Sequence, residues 1–127
     1  MQGKGIYTTS SGYRYTGSFI KNKPEGYGEL ISPTGQVYKG EFKSGSLEGK
    51  GEMLYPDGRH YIGSFKENNR EGQGTMSYPA GEQYGEGSQY NGYWKLNKRN
   101  GRGKIIYFDD GRILNGEFKE NILVKRY

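Results

Sequence analysis

Residues 38–60 read YKGEFKSGSLEGKGEMLYPDGRH, from Tyr38 to His60. The stretch before it, residues 15–37, reads YTGSFIKNKPEGYGELISPTGQV. Each is 23 residues long and the two align without a gap. A fixed period of this size marks a stacked repeat protein. Within the unit, Tyr38, Gly40 and Phe42 alternate as one face of a strand requires. Gly49, Gly51 and Met53 do the same on a second strand, with the polar, turn-prone Lys43 to Glu48 between. Pro56-Asp57-Gly58 closes the unit with a tight-turn signal. The unit therefore reads as a β-hairpin followed by a turn into the next hairpin.

The columns persist down the chain. The first aromatic is Tyr15, Tyr38, Tyr61 and Tyr90, with Leu114 last. The glycine two residues on is Gly17, Gly40, Gly63, Gly92 and Gly116, and the second aromatic is Phe19, Phe42, Phe65, Trp94 and Phe118. Glycine weakens strand interiors, so its recurrence needs a reason. A bare backbone on the face that carries the aromatics lets a ring lie flat against it. Burying a ring contributes roughly 1.5–3 kcal/mol, against roughly 0.5–1 kcal/mol lost to a strand glycine.

Y-x-G-x-[FW], a short polar loop, G-x-G followed by an apolar residue, and a D-G turn at this spacing resemble the MORN repeat. The resemblance covers nearly the whole chain. It implies an all-β fold: an elongated, twisted, single-layer antiparallel sheet of successive β-hairpins with a groove. It also implies a non-enzymatic scaffold or adaptor that binds a partner protein segment in that groove. Similar proteins occur in cilia, flagella, axonemes, cytoskeletal collars and membrane junctions, which implies a cytoplasmic, cytoskeletal or ciliary setting.

One domain is expected over residues 1–127. Residues 1–14 read as a half repeat, 15–37, 38–60, 61–89 and 90–113 as full repeats, and 114–127 as a C-terminal half repeat or cap. The third repeat is longer near YPAGEQYGEGSQ, either a tolerated surface loop or an insertion on a binding face. In the last segment Ile122, Leu123 and Val124 replace the G-x-G, as a cap or as an element that docks elsewhere. Open edges at the two ends would let copies pair end to end.

Composition fits a layer better than a globule. Only 31% of residues are hydrophobic and mean hydropathy is −1.03. Such values suit disorder, but the periodic aromatics argue for folding through contacts between neighbouring repeats. Without Cys, disulfides and thiolate metal sites are excluded, which fits an intracellular protein. The first residues show neither a secretory signal nor a myristoylation pattern, and no apolar run spans a bilayer.

The net charge of +5 is concentrated in residues 90–113. Lys95, Lys98 and Arg99 read as hairpin-loop residues, and Arg102 and Lys104 fall opposite the glycines. Together they form a candidate patch for anionic lipid or an acidic partner. A solvated, inert loop is the plainer alternative. Nucleic acid is not indicated, because no RNA-binding or helix-turn-helix pattern is present.

The face opposite the aromatic columns carries Tyr27, Ile31, Leu54, Ile62, Tyr93 and Ile106, mixed with Lys39 and Lys50. Its variability suits recognition, so these six form the candidate partner-binding face. The G-x-G elements are not a dinucleotide motif, since no helix follows them. His60 reads as structural, Asp57, Asp109 and Asp110 as turn residues, and Glu25, Glu48 and Glu71 as a repeat column. No catalytic, cofactor or metal-ligand set is expected. Alternative roles are a peripheral membrane module that recognises anionic phospholipids through the basic fourth repeat, or a regulatory segment of a larger protein.

Overall fold

The computed structural model describes residues 3–81 and 86–127. In them the chain forms β1 (Gly3–Thr8), β2 (Arg14–Ile20), β3 (Lys23–Ile31), β4 (Val37–Lys43), β5 (Ser46–Leu54) and β6 (His60–Lys66). It continues as β7 (Asn69–Tyr78), β8 (Ser88–Lys95), β9 (Lys98–Tyr107), β10 (Ile113–Lys119) and β11 (Ile122–Arg126). No helix occurs among the described residues. The strands make one 11-stranded sheet in sequence order, antiparallel throughout, open, with β1 and β11 at its edges. The all-β, single-layer expectation is met.

Register explains how a layer this thin holds together. Gly5 pairs with Gly17, Gly17 with Gly28, Gly28 with Gly40, and Gly40 with Gly51. The row runs on through Gly63, Gly74, Gly92 and Gly103 to Gly116. Tyrosine rings lie over this bare track. A methyl group on Gly28 would fall 2.5 Å from the Tyr15 hydroxyl, and one on Gly51 would fall 2.5 Å from that of Tyr38. Each hydroxyl then donates to a backbone carbonyl three residues on. The acceptors are Ser18 (2.8 Å), Glu41 (2.8 Å), Ser64 (2.9 Å) and Tyr93 (3.0 Å).

Phenylalanines and a tryptophan lock the tyrosines edge to face. Tyr15 meets Phe19 and Phe42, Tyr38 meets Phe42 and Phe65, Tyr61 meets Phe65 and Trp94, and Tyr90 meets Trp94 and Phe118. Centroid separations are 4.9–5.4 Å, the range in which such pairs add about 0.5–1.5 kcal/mol beyond burial. Every second contact crosses from one repeat to the next. Packing is thus carried along the row, as in other one-dimensional arrays.

Three local expectations need correction. The hairpin loop is not Lys43 to Glu48 but the pair Ser44-Gly45, with φ of 48° and 88°. Two successive positive φ values make the two-residue turn whose twist matches the strands. Lys21-Asn22, Glu67-Asn68, Leu96-Asn97 and Glu120-Asn121 do the same. Lys95, Lys98 and Arg99 accordingly lie on strands β8 and β9, not in a loop. Nor does Gly49 share the face of Gly51. Its φ of 89° turns its open side to the Glu41 side chain, within a bulge where Glu48 to Lys50 stand opposite Glu41. The Glu41 carboxylate accepts the Lys50 amide there at 2.7 Å.

The final segment forms a complete hairpin, β10 with β11. β11 is exposed throughout, and the Leu123 side chain packs over Gly116. The lengthened connection of the third repeat includes residues 82–85, which lie outside the described residues.

Candidate functional site

The sheet has two unlike faces. On the aromatic face the groove floor is built from Leu30, Met53 and Ile105, half-buried against the ring ladder. One wall is the row of two-residue turns. The other is the row of turns between hairpins, where Gly12 packs on Pro33, Gly35 on Pro56 and Gly58 on Pro79. A cavity of about 620 Å³ lies between Tyr7, Thr9, Tyr13, Asn22, Pro24 and Leu30. A second, of about 380 Å³, lies between Tyr13, Leu30, Gln36, Leu47, Met53 and Asn68. They share Tyr13 and Leu30, so the groove runs across the strands from one repeat to the next.

Side chains in the turns tie each repeat to its neighbour. Asn68 accepts the Leu47 amide at 2.9 Å, Asn97 that of Arg70 at 2.8 Å, and Asn121 that of Arg99 at 2.9 Å. The glutamate column serves the same joins. Glu25, Glu48 and Glu71 accept the amides of Ser44, Glu67 and Leu96 at 3.2, 2.7 and 3.1 Å. His60 pairs with Glu52 at 2.7 Å on the opposite face. Asp57 and Asp110 hold Arg59 and Arg112 within their own turns, each at 2.9 Å.

Further along, the groove changes character. The position of Pro24 and Leu47, opposite the second aromatic, is taken by Arg70 opposite Phe65 and Arg99 opposite Trp94. Arg70 is buried. It donates to the Tyr55 hydroxyl and the Asn97 carbonyl, both at 2.7 Å, and its guanidinium lies 4.8 Å from the Trp94 ring centre. Arg99 donates to the Asn121 carbonyl at 3.1 Å and lies 5.4 Å from the Phe118 ring centre. Arg99 therefore packs on the aromatic ladder, on the other face of the sheet from Lys95 and Lys98.

Lys95, Lys98, Arg102 and Lys104 are exposed and project from the opposite face. Arg102 stacks on Tyr127 at 4.9 Å, and a cavity of about 450 Å³ includes Tyr93, Arg102, Lys104 and Tyr127. The six candidate recognition residues also lie on this opposite face. Tyr27, Leu54, Ile62 and Tyr93 are exposed, while Ile31 and Ile106 are half-buried. Ile31 and Leu54 meet through Val37, which pairs with both, while Ile62 stands between Glu52 and Thr75.

Burial raises the pKa of the ladder tyrosines. Tyr15, Tyr38 and Tyr61 are shifted upward, and Tyr90 is pushed up to about 12. The guanidiniums of Arg70 and Arg99 oppose the shift at Tyr61 and Tyr90.

The MORN repeat family model matches residues 1–12, 15–37, 38–58, 61–83 and 90–112. The chain belongs to the MORN repeat family, whose repeats typically act as protein- or membrane-binding modules and are generally non-enzymatic. Comparison with curated proteins gives no match.

Proposed function

We propose that this chain is a non-enzymatic scaffold that seats a segment of a partner protein along the groove of its aromatic face, in a cytoskeletal or ciliary setting. The supporting observation is the pair of cavities joined through Tyr13 and Leu30, apolar on the floor and walled by two rows of turns. An apolar trough with a few convergent polar groups is the usual form of a recognition groove. Photo-crosslinkers at Gln36, on the groove rim, and at Tyr27, on the opposite face, test it. The expected result is a defined protein adduct from Gln36 alone. Adducts from Tyr27 alone would move the site to the other face.

A second reading rests on Lys95, Lys98, Arg102 and Lys104, which share the opposite face with the exposed Tyr93. Basic residues beside an aromatic suit an anionic membrane surface, at about 1 kcal/mol per Lys or Arg near the lipid.

A further inference from the structure

The two halves of the groove differ in charge. At the column facing the second aromatic, the first two repeats carry Pro24 and Leu47 and the next two carry Arg70 and Arg99. Among the described residues neither arginine meets a carboxylate. The ion pairs among the described residues are Arg59 with Asp57, His60 with Glu52 and Arg112 with Asp110. Arg70 is only 9% exposed, and the Nε of both Arg70 and Arg99 lacks a hydrogen-bond partner. Both guanidiniums are cations, and the burial of Arg70 leaves its charge weakly screened. Arg59 lies against the Tyr55 ring at 4.3 Å, with Arg70 at 5.5 Å from the same ring. Arg70 and Arg99 thus set two cations that form no ion pair among the described residues against the aromatic ladder in this half of the array.

The period of the groove is also fixed. Neighbouring strands are about 4.8 Å apart, so a two-strand repeat advances about 9.6 Å. A polyproline-II segment presents the same side every third residue, about 9.3 Å on. Laid across the strands, it would meet equivalent positions of successive repeats with equivalent residues.

We propose that the groove takes an acidic, polyproline-II-type segment, with apolar side chains over Pro24 and Leu47 and carboxylates over Arg70 and Arg99. This rests on the aromatic-face groove being the binding site. The probe is a labelled proline-rich peptide with two leucines three residues apart followed by two glutamates at the same spacing. Its controls have glutamine for glutamate, or the glutamates two residues apart. The variant is Arg70→Leu with Arg99→Leu, which restores the side chain that Leu47 already places in this column.

The expected result is at least about tenfold tighter binding of the glutamate peptide than of the glutamine peptide at low salt. The preference should disappear in the double variant and weaken when the spacing is broken. Equal binding of the two peptides would overturn the acidic assignment and leave the groove reading standing. No binding of either peptide would overturn the assigned occupant, while crosslinking from Gln36 tests the groove independently. Phosphatidylserine vesicles that displace the peptide and require both arginines would assign the charges to a membrane and overturn the proposal.

Discussion

Gly45 donates its amide to the carbonyl of Pro24 at 2.9 Å, and no bond returns. At the equivalent joins the bond is doubled. Asn68 donates its amide to the Leu47 carbonyl at 3.1 Å and accepts the Leu47 amide on its side chain at 2.9 Å. Asn97 with Arg70 and Asn121 with Arg99 repeat the exchange. Pro24 has no N–H to offer, so at this one join an asparagine would have nothing to accept, and glycine stands there instead.

This asymmetry predicts opposite outcomes for reciprocal substitutions. Asn68→Gly keeps the positive φ but strands the Leu47 amide, and should cost about 1–2 kcal/mol. Gly45→Asn should change stability by less than about 0.5 kcal/mol, since left-handed asparagine is tolerated and no amide awaits it. Urea denaturation of the two variants checks both.

Gly51→Ala should be far more damaging than its single methyl suggests. The new carbon would stand 2.5 Å from the Tyr38 hydroxyl, in a strand that has no room to move apart. A loss of about 3 kcal/mol is expected from overpacking. In a Tyr38→Leu background the alanine should cost markedly less, and a double-mutant cycle by chemical denaturation measures that coupling.

The ladder tyrosines predict alkaline unfolding. Their folded pKa values lie above the ordinary phenol value of 10.0, with Tyr90 at about 12. The folded state therefore binds these protons more tightly than the unfolded state. The associated stability is whole below pH 10 and is lost as pH rises from about 10 toward 12. Phenolate absorbance should rise in two stages, the exposed tyrosines first and the ladder together with loss of β circular dichroism. Phenolate rising to completion with the sheet intact would contradict the ladder.

Membrane binding through the opposite face predicts a clean separation. Lys95→Glu with Lys98→Glu alters exposed ends of β8 and β9 and should leave the melting temperature unchanged. Pelleting with anionic vesicles at low salt should fall severalfold, and raised salt should weaken wild-type pelleting. Wild-type pelleting that ignores salt would remove this reading. Arg99→Glu cannot serve the same purpose, because it would replace a cation stacked on Phe118 and Tyr90 on the aromatic face.

Much of the ladder is legible in single residues. Tyr38, Gly40 and Phe42 announce a ring, a bare patch and a second ring at strand spacing, and strand geometry alone puts them together. In the sequence Arg70 and Arg99 each look like any surface arginine. Only alignment with Pro24 and Leu47 shows that they stand in a packed column. Gly49 departs from strand alternation for a related reason. Alternation assumes ordinary φ, and a bulge with φ of 89° reverses the face.

Local spacing by itself determined the period, the hairpins, the glycine track and the rings that cover it, because each depends on residues a few positions apart or one repeat apart. The tertiary structure decided which face carries the apolar cavities, where the column beneath them turns from apolar to cationic, and which basic side chains reach solvent. Those properties arise where turns from successive repeats meet, as when Asn97 closes over Arg70 from 27 residues away. Residues brought together across that distance carry no mark of it in their order along the chain.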